Sequence, residues 1–198
     1  HNLSIMKALK LGIDDLICVY KANMIIPQIA ENRTGSDNVE IPKNCPVCGG
    51  STRIQKTADV ETLCCTNPEC QAKKIKSFAL FVSRDAMNMD GMSEATLEKF
   101  IGRGFIHEFA DIFQLAKHRD EIVEMEGFGK KSYEKLITGI EKARDTTLPR
   151  LIYSLGIPNI GVANAKMLCK AFGYELDKIR SADAQTMAEV DGIGSVTG

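Results

Sequence analysis

No apolar stretch in the 198 residues approaches the roughly 20 that a membrane-spanning helix needs, and no signal-peptide pattern is present. Strong charge of either sign is also missing, with a net charge of −1. A polycation that coats nucleic acid is excluded, so any grip on a polyanion must come from local patches or main-chain groups. Histidine is scarce, and His1, His107 and His118 are scattered. No Gly-x-x-x-x-Gly-Lys-Ser/Thr loop and no nucleophile–base constellation can be found, so no residue is assigned a catalytic role. Asp14-Asp15, just ahead of a strand pattern, reads as a turn. The first residue is His1 rather than methionine, and the chain stops in "DGIGSVTG", inside what reads as a motif. A piece of a longer protein is expected.

What is present begins with ordinary apolar content, sufficient for a packed core. The chain then divides into three regions. Residues 1–42 carry β signals in "DLICVYKA" and "MIIPQIA", with Pro27 marking an edge strand or bulge and "ENRTGSDN" a loop. Two or three strands are marginal by themselves, so further strands are expected from outside the sequence. Residues 43–76 hold "CPVCGG" and "CCTNPEC". Residues 77–198 switch to helical periodicity. Leu97, Phe100 and Ile101 share one face, as do Tyr133, Leu136, Ile137 and Ile140, and Leu151, Ile152 and Leu155.

Seven cysteines with four in two tight clusters do not suit a secreted disulfide framework. Cys45-x2-Cys48 and Cys65-x4-Cys70 supply four thiolates in two clamps, the ligand set of a structural, tetrahedral zinc site with no open position. Pro46 and Gly49-Gly50 suit the first knuckle, and Asn67-Pro68 the second. Cys64 is an alternative to Cys65, which is preferred because "CTNPEC" forms a compact turn. Cys18 and Cys169 read as unpaired, buried thiols. Lys73, Lys74 and Lys76 follow the second clamp and read more readily as a solvated face than as a DNA contact.

One pattern recurs in the helical region: an apolar residue, an acid, Gly, an apolar residue, Gly or Ser, and then a helix. "MEGFG" (125–129) resembles "VDGIG" (190–194), "MDGMS" (89–93) is weaker, and "LGIPNIG" (155–161) is a longer variant. The first glycine permits the left-handed backbone that ends one helix. The second leaves bare the unpaired N–H groups and positive dipole end of the next, which is an anion site. A single copy could be only a tight interhelical turn, whereas four copies favour phosphate contact. Gly91, Gly127, Gly129, Gly156, Gly161, Gly192 and Gly194 are the candidate contacts, with Lys130 and Lys131 adding charge. The pattern resembles the helix-hairpin-helix motif, which holds DNA by its phosphates without reading sequence.

The order of parts resembles more than a motif. "HN" and "YKANMIIPQI", then "CPVCGG…CTNPEC", then four hairpins, look like the C-terminal half of bacterial NAD-dependent DNA ligases. "MEGFGKKSYEKLITGIEKA" (125–143) and "LPRLIYSLGIPNIGVANAKML" (148–168) carry the resemblance in register. It implies a multidomain, mixed fold: an incomplete β OB-fold at 1–42 lacking its first strand, a small four-cysteine zinc finger at 43–76, and an all-α helix-hairpin-helix domain at 77–198 whose last motif is truncated. It also implies that the parent enzyme adenylates a lysine with NAD and seals nicks in duplex DNA with magnesium, in replication and repair. That lysine belongs to a Lys-x-Asp-Gly motif. Here Asp90-Gly91 and Asp191-Gly192 are preceded two positions back by Asn88 and Glu189, so the chain alone is expected to be inactive. The family's BRCT domain is not expected within these residues. Lys21 is the expected OB contact to DNA, and Asn23 stands where the family has glycine, a residue that still tolerates positive φ. The resemblance further implies a monomer on nicked double-stranded DNA, in a bacterial cytoplasm and near the nucleoid. A non-enzymatic zinc and hairpin DNA-binding module of a repair protein, or a purely structural repeat that binds protein, are the other readings.

Overall fold

Asn2 starts the described chain by capping a helix, its side-chain oxygen accepting from the Ile5 N–H at 3.0 Å. In the computed structural model, residues 2–57 and 59–190 are described. They divide into two compact units, 1–72 and 73–198.

The first unit opens with α1 (Leu3–Ala8), in a region that the sequence reading assigned to strands. A six-residue helix is too short for a periodic apolar stripe and is not stable alone. Tertiary contacts hold it. Ser4 Oγ donates to the Asp59 carbonyl and accepts from the Glu61 N–H, and Lys7 Nζ reaches Glu61 at 2.6 Å. These partners lie in the turn and the second strand of the cysteine-bearing hairpin at 52–65, so α1 and that hairpin pack together.

β1 (Ile17–Ala22) and β2 (Ile26–Asn32) form one antiparallel pair. Asn23 and Met24 in the loop between them both have positive φ, 50° and 65°. Asparagine tolerates this; methionine does so at a cost. Pro27 lies in β2 opposite Lys21, and the bulge sits elsewhere, between Cys18 and Val19. In a two-stranded sheet each strand is an edge, where a missing N–H is harmless. Asp15 ties the following loop back. It accepts from Thr34 Oγ1, Asn32 Nδ2, the Ser36 N–H and the Gly12 N–H, and the Thr34 and Asn32 bonds foremost hold its carboxyl well below the usual range. The second sheet pairs β3 (Thr52–Thr57) with β4 (Val60–Cys65). Among the described residues the strands form these two separate pairs and close no barrel.

The second unit is helical. Its first helix, α2 (Gln71–Val82), begins inside the segment that the sequence reading gave to the zinc finger. Then come α3 (Glu94–Gly102), α4 (Phe109–Ile112), a 3-10 turn (Leu115–His118), α5 (Arg119–Glu124) and α6 (Lys130–Ala143). Phe78, Phe81, Leu97, Phe100, Ile122 and Leu136 centre their shared core. Phe81 stacks on Phe109 at 4.3 Å, and Phe78 meets the same ring edge-on. α7 (Leu148–Ser154), α8 (Val162–Ala171), α9 (Leu176–Ser181) and α10 (Ala184–Ala188) follow, and Ile152, Ile160, Ala165, Leu168, Cys169 and Ile179 form a second core.

The helical faces follow the periodicity with two departures. Leu155, expected beside Ile152, is 48% exposed, because α7 ends at Ser154 and the chain leaves the helical face there. Gly139 is buried on α6 although its residue type gave no core signal. A Cβ on it would stand 2.8 Å from the Asp90 carbonyl oxygen and 2.9 Å from the Asp90 nitrogen. The turn before α3 therefore rests directly on the α6 backbone. Gly91 repeats the contact from the other side, since its Cβ would lie 3.4 Å from Leu136 Cα.

Gly139→Ala should destabilise the chain by about 1–2 kcal/mol despite alanine's better helix propensity, because the methyl group meets unyielding backbone. Gly102→Ala, at the exposed end of α3 with open space around it, should be neutral or stabilising. Denaturant midpoints of the two variants test the contrast.

Candidate functional site

The cysteine site is assembled by β3, β4 and the two turns that flank them. The sulfurs of Cys45, Cys48, Cys65 and Cys70 all lie within 4.8 Å of one another. Cys48 and Cys65 are 3.5 Å apart, and Cys45 and Cys70 3.9 Å. Four thiolates about 2.3 Å from a tetrahedral zinc would be separated by roughly 3.8 Å, so the donor set fits such an ion with shifts of no more than about 1 Å. Cys64 is outside the cluster. It pairs with Arg53 across the hairpin, and its sulfur contacts Thr62 Oγ1 at 3.9 Å. Alternation along the strand sends neighbouring side chains to opposite faces, which separates Cys64 from Cys65.

The first clamp is closed by backbone bonds from Cys45 N–H to the Gly50 carbonyl, 2.7 Å, and from Gly49 N–H to the Cys45 carbonyl, 2.9 Å. A side chain at Gly50 would crowd Asn67 Cβ at 3.0 Å and Cys48 Sγ at 3.3 Å. The Gly50 N–H, and after it the Asn67 side chain, lower the Cys48 thiol to about 6. The N–H groups of Cys48 and Val47 lower Cys45, while burial pushes Cys65 up to about 11. The knuckle thus favours thiolate at one clamp. A divalent cation binding all four sulfurs would displace the proton from Cys65.

The repeats converge on one geometry. At residues 125–128 the Phe128 N–H bonds to the Met125 carbonyl at 2.9 Å, and at 157–160 the Ile160 N–H bonds to the Ile157 carbonyl at 3.0 Å. The third residue of each turn has positive φ: Gly127 at 81° and Asn159 at 64°. Gly91 holds the same place in the 89–92 turn, at 86°. This is the type II pattern, which wants Gly or Asn at that position and accepts Pro before it. Asn159 is therefore the counterpart of Gly127. Gly156, the residue picked out by sequence, instead ends α7, where a Cβ would touch Leu80 Cδ2 at 3.0 Å. The signal was the pair Pro158-Asn159, a favoured type II centre.

The apolar residue after each turn points into a core. Met92 and Ile160 are buried, and Phe128 lies 5.6 Å from the Phe100 ring. The next residue is the helix cap, and here the copies differ. Ser93 caps α3 with its own hydroxyl, accepting from the Thr96 N–H at 3.2 Å. Gly129 and Gly161 offer no side chain, and α6 and α8 start without a side-chain cap. The N–H groups from Gly129 to Ser132, and from Gly161 to Asn164, find no acceptor among the described residues. Neither cap glycine has a left-handed φ, and a Cβ on either would meet nothing within 4 Å. Lys130 and Lys131 are exposed beside these amides and in no ion pair among the described residues. Lys99 Nζ, from α3, donates to the Glu126 carbonyl at 2.8 Å and steadies the 125–128 turn. Lys21 is exposed on β1, in the other unit. Gly192 and Gly194 lie outside the described residues.

Comparison with known proteins agrees with the hairpin geometry. Residues 83–142 match the family described as SAM-like Helix-hairpin-helix tandem, and residues 150–198 the family described as Helix-hairpin-helix motif. The DNA ligase of Lachnoclostridium phytofermentans is 56% identical over 196 residues, which covers 99% of this chain and 30% of the relative. That of Ruminiclostridium cellulolyticum is 57% identical over the same shares, and that of Bacillus licheniformis is 37% identical over 98% of this chain and 29% of the relative. The chain thus spans about 30% of the length of the curated relatives it matches. In sequence, the chain is similar to one stretch of these bacterial DNA ligases.

Proposed function

We propose that this chain is the DNA-gripping portion of an NAD-dependent DNA ligase that seals nicks in duplex DNA. One observation carries the reading at the level of residues. Gly129 and Gly161 stand where neither backbone conformation nor the protein's own packing calls for glycine. A close approach from outside accounts for both, and unpaired amides at the start of each helix make a phosphate the matching visitor. Lys130 and Lys131 add charge at the first of these grips. The net charge of −1 leaves little long-range attraction, so affinity rests on these local donors. Ser93 already fills its own cap, so the 89–93 hairpin serves chiefly as support for α6. No base-reading element is part of this picture, and binding should be indifferent to sequence.

The four clustered cysteines hold structural zinc, with no position left for a substrate. NAD and magnesium belong to the chemistry of the parent enzyme. The Lys-x-Asp-Gly adenylation motif is missing from this sequence, so the chain contributes grip rather than catalysis. Lys21 on β1 is the proposed phosphate contact of the first unit, and residues 1–42 the proposed part of an OB-fold.

Three outcomes follow. Cys65→Ser should lose the bound metal and melt the β3–β4 hairpin, whereas Cys64→Ser should keep one zinc per chain; metal analysis with circular dichroism distinguishes them. Gly129→Val and Gly161→Val should each keep the fold and lower affinity for random-sequence duplex about tenfold, read by fluorescence anisotropy. Unchanged affinity in folded variants would reject the phosphate role. The substitution at Gly127 is less informative, because its φ of +81° strains any side chain. For the parent enzyme, intact mass after incubation with NAD should show an AMP adduct that ATP does not produce. No adduct from either nucleotide would turn the reading to a non-enzymatic DNA-binding module.

A further inference from the structure

The helical unit has two cores and comparatively little between them. The 125–129 hairpin is built on the first core, and the 157–161 hairpin on the second. The two matched family regions, 83–142 and 150–198, fall on the same two sides. Apolar contacts cross the boundary at two named places. Leu151 of α7 packs on the first core, and Gly156 lies against Leu80. Among the described residues, the polar link is a single side chain. Arg150 Nε donates to the Ala86 carbonyl at 2.7 Å, and Arg150 Nη2 donates to the Arg84 carbonyl.

The loop that receives Arg150 is itself folded back on the end of α2. The N–H groups of Met87, Asn88 and Met89 bond to the carbonyls of Phe81, Ser83 and Val82. Ala86 is fully buried at its tip. A few residues later the same loop becomes the turn that rests on Gly139 of α6. The guanidinium therefore joins α7, which leads into the 157–161 hairpin, to a rigid path that ends on the helix of the 125–129 hairpin. Arg150 is in no ion pair among the described residues, and both of its named bonds go to main-chain oxygens. Its planar fork suits two carbonyls held side by side, which an ammonium cannot match.

We propose that Arg150 is a positioning residue that fixes the separation of the phosphate grips at Gly129 and Gly161, so that the two engage one duplex as a bivalent unit. The inference rests on the phosphate-gripping reading above. Holding two weak grips at a set spacing raises the effective concentration of the second once the first is bound, with no new contact to DNA.

The test uses the whole chain and duplex of random sequence. Arg150→Met should lower affinity about tenfold, as Gly161→Val does, by disengaging the second grip. Arg150→Lys, which keeps part of the tie, should recover some of the loss. Adding Gly161→Val to Arg150→Met should cost less than the same change in the wild-type chain, because the grips no longer act together. An undiminished cost of Arg150→Met in the Gly161→Val background would make Arg150 a direct phosphate contact and overturn the proposal. Full affinity in a folded Arg150→Met variant would overturn it too. A second readout needs no DNA. Probes placed at Ser132 and Asn164 through unnatural amino acids should report a broadened distance distribution in Arg150→Met, and an unchanged distribution would also overturn the clasp. Failure of the wild-type chain to bind duplex would sink the functional reading instead, with the distance measurement still deciding the clasp.

Discussion

The helical unit depends on one contact of backbone with backbone. The turn at Asp90-Gly91 lies on α6 where Gly139 has no side chain, close enough that a single methyl group would collide with main-chain atoms. Such proximity is accessible only to glycine, and it seats the first hairpin against the helix of the second. Phe100 and Phe128 then pack together, and Lys99 reaches the turn that precedes α6. The apolar side of α6 is thereby committed to the core, through Tyr133, Leu136, Ile140 and Ala143, while its first turn remains uncovered. A helix start exposed in this way is a consequence of packing elsewhere along the same helix.

The glycines of the repeats divide by physical cause. Gly91 and Gly127 are fixed by a positive φ in a turn, and Gly91 also by proximity to α6. Gly139 is fixed by proximity alone. Gly129 and Gly161 are fixed by neither, and they stand at the bare ends of two helices. The motif as written in sequence does not separate these causes. Asn159 makes the same point from the other direction, because it fills a glycine's place in the turn by tolerating the left-handed region.

Much of this was legible from residues. The cysteine spacing, with Cys65 preferred over Cys64, corresponds to the sulfurs that cluster, because strand alternation and a compact turn are local properties. The helical faces of α3 and α6 follow from their periodicity, and the positive φ of Asn23 from its residue type. Other features were not legible, for reasons that are not local. α1 is short and is held by Asp59 and Glu61, more than fifty positions away. The importance of Gly139 comes from what lies across from it. Leu155 has the right spacing for a buried face, but its helix stops one residue too soon. The 1–42 region reads as strand-rich, yet its described strands form one pair, and several of its apolar residues, Val19, Ile25 and Ile26 among them, remain exposed.

Main-chain amides differ from cationic side chains in one further respect. They have no pKa within reach of ordinary solution conditions, and their direction is set by the helix rather than by rotamer choice. The donors at the starts of α6 and α8 therefore keep the same protonation in acid and in base, and they lose no side-chain entropy when a ligand arrives. Only the flanking lysines are adjustable. What each cap requires is the absence of a side chain, which places part of each grip on a residue with no functional group at all.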